Sequence, residues 1–222
     1  PGKFVAIGLN YSDHAKETGL EAPKEPIVFM KAPSCITGPN DNIELVSYSK
    51  KLDWEVELGI VIGKETKNIE EKDAPNHILG YCIVNDLSER EWQIEKLGQW
   101  VKGKSHDTFG PIGPYLVTSD EIPNVNNLNL SLDVNGENMQ KGNTNNMIFY
   151  VPPYFFPSSS DRQVLLTPFQ TTDATTNDPF NVSFSFGVGG KMINLENFVL
   201  DFVNMRQPRL LELTPTTIDT TI

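Results

Sequence analysis

The sequence is poor in cysteine, histidine and positive charge. It has two cysteines, three histidines and 18 Lys and Arg against 29 Asp and Glu, for a formal net charge of −11 at pH 7. So acidic a chain argues against nucleic acids and anionic membranes as partners, because both bind basic surfaces. Cys35 and Cys82 lack the spacing of metal ligands, and we interpret them as free thiols in a reducing compartment.

Long apolar runs are also absent. No stretch approaches the roughly 18 residues that a membrane span requires, and residues 1–20 contain no signal-type apolar core. We therefore expect a soluble, cytoplasmic protein. Because the chain begins at Pro1 rather than Met, a leader or N-terminal module preceding it stays open.

Short apolar stretches, separated by Gly, Pro, Asn and Asp clusters, make up much of the sequence. They are KFVAIGL, IVFM, LGIVIG, ILGYCIV, IGPYLV and LNLSLDV. This spacing predicts a β-rich domain with short helices. The length and the lack of internal repeats or charged linkers favour one domain over residues 1–222.

One strand and its turn can be placed from the alternation of leucines alone. Asn135 and Gly136 supply a type I′ turn after the strand. Its apolar positions share one face, which predicts a half-buried hairpin strand. These positions are Leu128, Leu130, Leu132 and Val134.

Two short helices fit between the strands. Ser12 is expected to cap the first, which ends at Gly19. Ser88 and Glu91 form a capping box for the second, which ends at Gly98.

The second helix carries four side chains on one stripe by its three- and four-residue spacing. We expect Ile94 and Leu97 to face the core, which turns Arg90 and Gln93 toward the strand end at Asp86. An arginine there can bind a substrate carboxylate through two hydrogen bonds, although a surface arginine paired with a nearby Glu is the ordinary alternative.

Three carboxylates alternate in the segment LDWEVELGIVIG. Side chains two apart on a strand lie on one face, about 6.5 to 7 Å apart, so Asp53, Glu55 and Glu57 form an acidic stripe. A solvated outer face is the ordinary explanation. However, the strand becomes apolar on both faces at 60–62, and carboxylates near a core are tolerated mainly when a cation neutralises them.

A third potential ligand follows another apolar strand, in GYCIVNDLSERE. Asp86 comes directly after this strand, and an ordinary turn aspartate is the alternative. Together with Glu55 and Glu57 it predicts an all-oxygen, partly open site suited to Mg²⁺, Mn²⁺ or Ca²⁺ rather than Zn²⁺.

Two further places hold candidate catalytic groups. His14 and Glu17 share a helix face and can act as a general base with its orienting carboxylate, although a surface pair is the alternative. The Gly- and Pro-containing segment WVKGKSHDTFGPIGP carries Lys104 and His106. Charged loops on a rigid scaffold are common sites of chemistry, although a flexible basic loop is the alternative.

Five segments, in this order and spacing, resemble the successive motifs of the fumarylacetoacetate hydrolase family catalytic domain. They are AIGLNYSDHAKE, PIVFMKAPSCITGPNDNI, LDWEVELGIVIG, GYCIVNDLSEREWQ and VKGKSHDTFGPIGPYLV. The resemblance covers residues 2–151 and implies a mixed β-sandwich roll that forms a homodimer. After Val151 the family's PGD turn and TGTPPGVG loop are not found. We therefore expect residues 152–222 to diverge, and binding residues there are left unassigned.

The resemblance also implies roles for individual residues. It implies Mg²⁺ or Mn²⁺ bound by Glu55, Glu57 and Asp86, with Asp53 outside the ligand set. The other implied site residues are the pair His14 and Glu17, the substrate-binding Arg90 and Gln93, and the active-site Lys104.

The implied reaction is hydrolysis of a C–C bond in a β-diketo acid, such as an acylpyruvate or a 2,4-diketo-3-deoxy sugar acid. The metal acts as a Lewis acid, His14 activates water, and Lys104 neutralises the developing oxyanion. The same scaffold serves 2-oxo acid decarboxylases and keto–enol isomerases. A catalytically inactive metal-binding β-domain is a further alternative.

Overall fold

The computed structural model describes residues 1–45 and 47–150, together with the backbone of three later strands. The strands are β1 (Lys3–Gly8), β2 (Ile27–Lys31), β3 (Ile36–Thr37), β4 (Leu52–Asp53), β5 (Val56–Ile62), β6 (Ile78–Asn85), β7 (Ser88–Glu89), β8 (Gly110–Pro111), β9 (Val117–Thr118), β10 (Asn129–Val134), β11 (Glu137–Asn143), β12 (Gln163–Thr167), β13 (Phe180–Val188) and β14 (Lys191–Leu200). The helices are α1 (Ser12–Glu17) and α2 (Trp100–Lys104), with a π-helical turn at Glu91–Glu95 and 3-10 turns at Pro33–Cys35, Glu71–His77, Ser119–Glu121 and Thr144–Asn146. The predicted class, mainly β with short helices, is confirmed.

Most described strands belong to two sheets. A six-stranded sheet has the order β2-β1-β12-β5-β6-β9, and a four-stranded sheet has the order β11-β10-β13-β14. The larger sheet is mixed. Strands β1 and β12 run parallel, and all the other neighbouring strands in this sheet pair antiparallel. Since β10 packs against β5, the two sheets meet around one core.

Apart from Glu57 and Asn85 at the site end, the central strands β5 and β6 are apolar on both faces, and nearly all of their residues are buried. Gly59 lies opposite Cys82 in this pair. A Cβ atom at residue 59 would lie 2.7 Å from the Cys82 sulfur and 2.8 Å from a Val84 methyl. Glycine at this position therefore allows the side chains of β6 to pack across β5.

The hairpin prediction is confirmed. The strands β10 and β11 pair antiparallel, and the turn residues Asn135 and Gly136 have φ angles of 52° and 85°, as a type I′ turn requires. All four predicted apolar side chains of the strand are buried.

The first helix is correct in position but not in its cap. Ser12 is the first helical residue, and Tyr11 occupies the N-cap position with no side-chain cap bond. The end is as predicted. Gly19 has a φ of 69°, and its N–H donates to Lys16 O while the next N–H donates to Ala15 O, which is the Schellman pattern.

The predicted capping box of the second helix is wrong. Ser88 belongs to strand β7, and its hydroxyl donates to the Asp86 carbonyl at 2.9 Å instead of capping a helix. The helical segment is a single π-helical turn at Glu91–Glu95. The amide of its second residue is bound by Glu89, whose carboxylate accepts from Trp92 N–H at 2.8 Å.

The predicted orientation of this segment is also half wrong. Ile94 and Leu97 are 54% and 92% exposed, so they do not face the core. A π-helical turn shifts the register that α-helical spacing assumes. Gln93 is buried as expected, and the chain leaves the segment through positive φ angles at Leu97 and Gly98.

Both cysteines are free thiols in buried positions, as predicted. Burial raises the pKa of Cys35 to about 11 and that of Cys82 to about 12. No helix in the described residues is long and apolar enough to span a membrane. Apart from the backbone of β12 to β14, the predicted divergent segment 152–222 lies outside the described residues, and the single-domain prediction stays a prediction.

Candidate active site

The acidic stripe lies at the junction between the short strand β4 and strand β5. Asp53, Glu55 and Glu57 are 2%, 1% and 0% exposed, which excludes the solvated outer face. The stripe is not one regular strand, because residues 54–55 separate the two elements. Burial of three carboxylates within five residues of chain requires compensating cations or hydrogen bonds.

Asp86 meets this stripe from the end of β6. Its backbone N–H donates to the Glu55 carbonyl at 2.9 Å, so the two residues sit side by side at the ends of adjacent strands. Its carboxylate is fully buried and forms an ion pair with Lys31 at 2.5 Å. Lys31 also donates to the Leu87 carbonyl at 3.1 Å.

Lys104, at the end of α2, joins the two acidic segments. Its Nζ donates to Glu55 Oε2 at 2.8 Å and to Asp86 Oδ2 at 2.9 Å, and it lies 5.2 Å from the ring centroid of Phe29. Two of the predicted metal ligands therefore converge on one buried cationic nitrogen.

Arg90 and Gln93 join the same cluster, as their shared stripe predicted. Arg90 Nε and Nη2 donate to Asp53 Oδ2 at 2.7 and 2.5 Å, and Nη2 also donates to Glu55 Oε1 at 2.6 Å. Its Nη1 donates to Gln93 Oε1 at 2.8 Å. Asp53 is thus the anchor of Arg90. The alternative of a surface arginine paired with a nearby Glu is wrong, since Glu95 pairs with Lys51.

The electrostatic effects follow from these contacts. Burial by itself raises the pKa of Asp86, but Lys104 and Lys31 outweigh it and lower that pKa to about 2. Burial and the nearby Asp86 carboxylate raise the pKa of Glu55, although Lys104 and Arg90 act in the opposite direction. The two acids that bracket Lys104 therefore differ in their readiness to take up a proton.

His14 and Glu17 are close but not hydrogen-bonded to each other. His14 Nδ1 lies 4.0 Å from Glu17 Oε2, and the two side chains are 2% and 62% exposed. The imidazole therefore belongs to the buried interior, while the carboxylate is largely in solvent. Their catalytic roles stay predictions.

Sequence reasoning missed two buried charged residues. Lys31 lies two positions after the buried Phe29 in β2, so its inward direction was readable from the strand alternation. Glu89 accepts hydrogen bonds from three backbone N–H groups, of Lys50, Lys51 and Trp92. Nothing in the sequence marked this role, because the partners are distant peptide groups.

The donor set suits a hard divalent cation. Glu55, Glu57 and Asp86 offer buried carboxylate oxygens, and two of them already share the ammonium of Lys104, which shows that a cation is stabilised between them. Within residues 1–45 and 47–150, no group of three His, Cys, Asp or Glu side chains is arranged to hold a metal ion. The predicted triad stays a prediction.

Gly103 controls where Lys104 lies. A Cβ atom at residue 103 would lie 2.4 Å from Glu89 O and 2.6 Å from Gln93 N, and both are backbone atoms that cannot rotate away. We expect Gly103→Ala to push α2 outward and to lower turnover by about 10²-fold, because displacements near 1 Å at a reacting centre have effects of this size. Lys102→Ala, an exposed change on the same helix, is the control. Wild-type turnover in a folded Gly103→Ala protein would contradict the expectation.

The fold is a mainly β domain. At the ends of adjacent strands, buried carboxylates surround lysine and arginine side chains, which is an arrangement typical of enzyme active sites. The family model described as fumarylacetoacetate (FAA) hydrolase C-terminal matches residues 3–160. The chain belongs to the fumarylacetoacetate hydrolase family, as its motifs predicted.

Relatives and solved structures agree with this assignment. A Burkholderia cenocepacia protein, named as a hydrolase without a stated substrate, is 58% identical over 150 residues, which cover 68% of this chain and 53% of that protein. The crystal structure of a fumarylacetoacetate hydrolase family protein from Yersinia pestis CO92 matches with a TM-score of 0.76 and 28% identity, over 87% of this chain and 92% of that one.

A 5-carboxymethyl-2-hydroxymuconate delta-isomerase from Mycobacterium smegmatis matches with a TM-score of 0.70 and 33% identity, over 87% of this chain and 77% of that one. The chain spans about half the length of the curated relatives it matches.

Proposed function

We propose that this domain hydrolyses a C–C bond in a β-diketo acid of the acylpyruvate or 2,4-diketo-3-deoxy sugar acid type. It would use Mg²⁺ or Mn²⁺ bound by Glu55, Glu57 and Asp86. The supporting observation is the buried bridge of Lys104 between Glu55 and Asp86. Buried charges are costly and add little to stability, so a cluster of them with shifted pKa values supports a functional role.

The bound ion would supply Lewis-acid polarisation of the substrate oxygens. Lys104 would rotate its ammonium from the carboxylates to the oxyanion that develops as water attacks the carbonyl, and its burial strengthens that interaction. Arg90 uses four of its five N–H groups on Asp53, Glu55 and Gln93. Its main role would be to hold Glu55 in place, with one Nη1 proton directed to the substrate.

His14 would take the proton of the attacking water. Glu17 is 4.0 Å from its Nδ1 and would have to close by about 1 Å to form a hydrogen bond. Catalytic hydrogen bonds are often long in the absence of substrate and shorten on binding. The exposed position of Glu17 leaves its side chain room for this rotation.

The first experiment is turnover of a panel of acylpyruvates, 2,4-diketo-3-deoxy sugar acids and oxaloacetate, with Mg²⁺ and with EDTA. Loss of diketo absorbance, with metal-dependent release of pyruvate and a second acid, is the expected result. Release of CO₂ would instead identify a decarboxylase. No turnover despite Mn²⁺ binding would favour the inactive metal-binding domain.

Keto–enol isomerisation is the second candidate function. It is favoured by the likeness to the Mycobacterium smegmatis isomerase and by the separation of His14 from Glu17, since isomerisation consumes no water. Turnover in H₂¹⁸O separates the two reactions, because only hydrolysis places ¹⁸O in the carboxylate of a product.

Substitutions at the first helix test the hydrolytic role. We expect His14→Asn to lower hydrolysis by about 10² to 10⁴-fold, the usual contribution of a general base. Glu17→Gln should have a smaller effect of about tenfold, since an exposed carboxylate only orients the imidazole. The exposed Glu21→Gln is the matched control and should retain wild-type rates. Full hydrolysis by His14→Asn would remove the imidazole from the mechanism.

We also propose that the protein acts as a homodimer and resides in the cytoplasm. The edge strand β2 supports the first point, because Ile27, Val28 and Met30 on it are 37%, 44% and 43% exposed. Exposed apolar side chains on an edge strand are typical of an interface. Light scattering after gel filtration tests it, and a monomeric mass would contradict it.

A further inference from the structure

A buried glutamine connects the second sheet to the acidic stripe. Gln140 lies on β11, opposite Leu132 of β10, and is 3% exposed. Its Oε1 accepts from Val56 N–H at 2.8 Å, and its Nε2 donates to Val56 O at 3.4 Å. Both ends of one side-chain amide therefore bind the main chain of one residue, and that residue lies between Glu55 and Glu57.

The backbone of Val56 needs such a partner because of the strand pattern. On an antiparallel strand, the N–H and C=O of one residue point to one side and those of the next residue to the other. Glu55 O accepts from Asp86 N–H, so it points to β6. The backbone N–H and C=O of Val56 therefore point to the β12 side of the strand, where the described pairing of β12 with β5 ends at Leu58.

The side-chain amide of Gln140 thus supplies, beyond the end of β12, the pair of hydrogen bonds that a neighbouring strand would make with Val56. These bonds come from the opposite sheet, and they are made at the level of the carboxylates. A second amide supports the same stretch, since Asn85 Oδ1 accepts from Glu55 N–H at 3.2 Å. Fixing the peptide groups on either side of Glu55 fixes where the Glu55 and Glu57 side chains begin.

We propose that Gln140 is a positioning residue, which holds Glu55 and Glu57 in the geometry needed to bind a divalent cation. This inference rests on the proposed metal-dependent function. A structural role alone would lower stability when Gln140 is replaced. If Gln140 has a positioning role, replacing it lowers metal affinity more than a substitution elsewhere in the same hairpin that destabilises the fold equally.

The test is a titration of the full chain with Mn²⁺ in the absence of substrate. Electron paramagnetic resonance measures the concentration of free Mn²⁺ at each step and so gives the Kd. Gln140→Leu keeps a similar volume and removes both hydrogen bonds. We expect its Kd for Mn²⁺ to rise by about 10- to 100-fold, as for other residues that orient metal ligands. Leu132→Val, which loses packing directly opposite Gln140, is the matched control and should bind Mn²⁺ within about twofold of wild type.

Hydrogen exchange of the metal-free proteins provides an independent measurement. Gln140→Leu should exchange faster in the peptide covering 54–58, whereas Leu132→Val should leave that peptide unchanged relative to the rest of β5. If Gln140→Leu does not fold, Gln140→Asn serves, because its amide is one methylene too short to reach both groups of Val56.

Three results would overturn the inference. Mn²⁺ affinity of a folded Gln140 variant within about twofold of wild type would show that the contact does not act on the ligands. Equal weakening by Leu132→Val would show a general loss of stability. If wild type binds no Mn²⁺, the proposed metal site itself fails and the positioning role falls with it, which distinguishes this failure from the other two.

Discussion

Asp86→Asn is expected to lower metal-dependent turnover by at least about 10³-fold and to weaken Mn²⁺ binding strongly. The change removes one of three proposed carboxylate ligands, and the metal contributes several kcal/mol of transition-state stabilisation, with about 1.4 kcal/mol per factor of ten. Steady-state kinetics with saturating Mg²⁺ and a Mn²⁺ binding isotherm measure the two effects separately.

The same substitution should also destabilise the fold. Asp86 is the shared partner of Lys31 and Lys104, and all three side chains are 0–1% exposed. A neutral amide leaves two buried ammonium groups under-compensated, and breaking such buried pairs costs about 3 to 5 kcal/mol. Asp107→Asn, an exposed aspartate shortly after α2, is the control for the loss of one charge. Unchanged Mn²⁺ affinity in a folded Asp86→Asn protein would remove Asp86 from the metal site.

Lys104→Met is expected to separate metal binding from catalysis. Turnover should fall by about 10² to 10³-fold, the usual effect of losing one group that stabilises an oxyanion. Metal affinity should be retained or increased, because Glu55 and Asp86 no longer bind the ammonium at 2.8 and 2.9 Å. Combined turnover and Mn²⁺ titration give both quantities on one preparation.

The control for Lys104→Met is Lys102→Met, which lies on the same helix but is exposed. It should behave as wild type in both measurements. If Lys104→Met retains full turnover, the buried lysine only neutralises the carboxylates. If it loses metal affinity together with turnover, Lys104 organises the ligands rather than the reaction.

Local patterns predicted the elements that are determined by nearest neighbours along the chain. The hairpin with Asn135 and Gly136 and the ending of α1 at Gly19 are confirmed, because alternation and positive φ angles act within a few residues. The prediction for the second helical segment was wrong because it relied on the same kind of local pattern. Its α-helical spacing suggested inward positions for Ile94 and Leu97, while a π-helical turn exposes both.

The sequence by itself determined the family, the apolar central strands and most of the acidic and basic residues of the candidate site, but not Lys31 or Glu89. Only the tertiary structure decided which charges pair. Asp53 proved to anchor Arg90, and Lys31 proved to share Asp86 with Lys104. Gln140 reaches Val56 across 84 residues of chain. Such partners cannot be read from spacing, because buried charges and peptide groups are satisfied by whichever polar groups packing brings near them, whatever their separation in sequence.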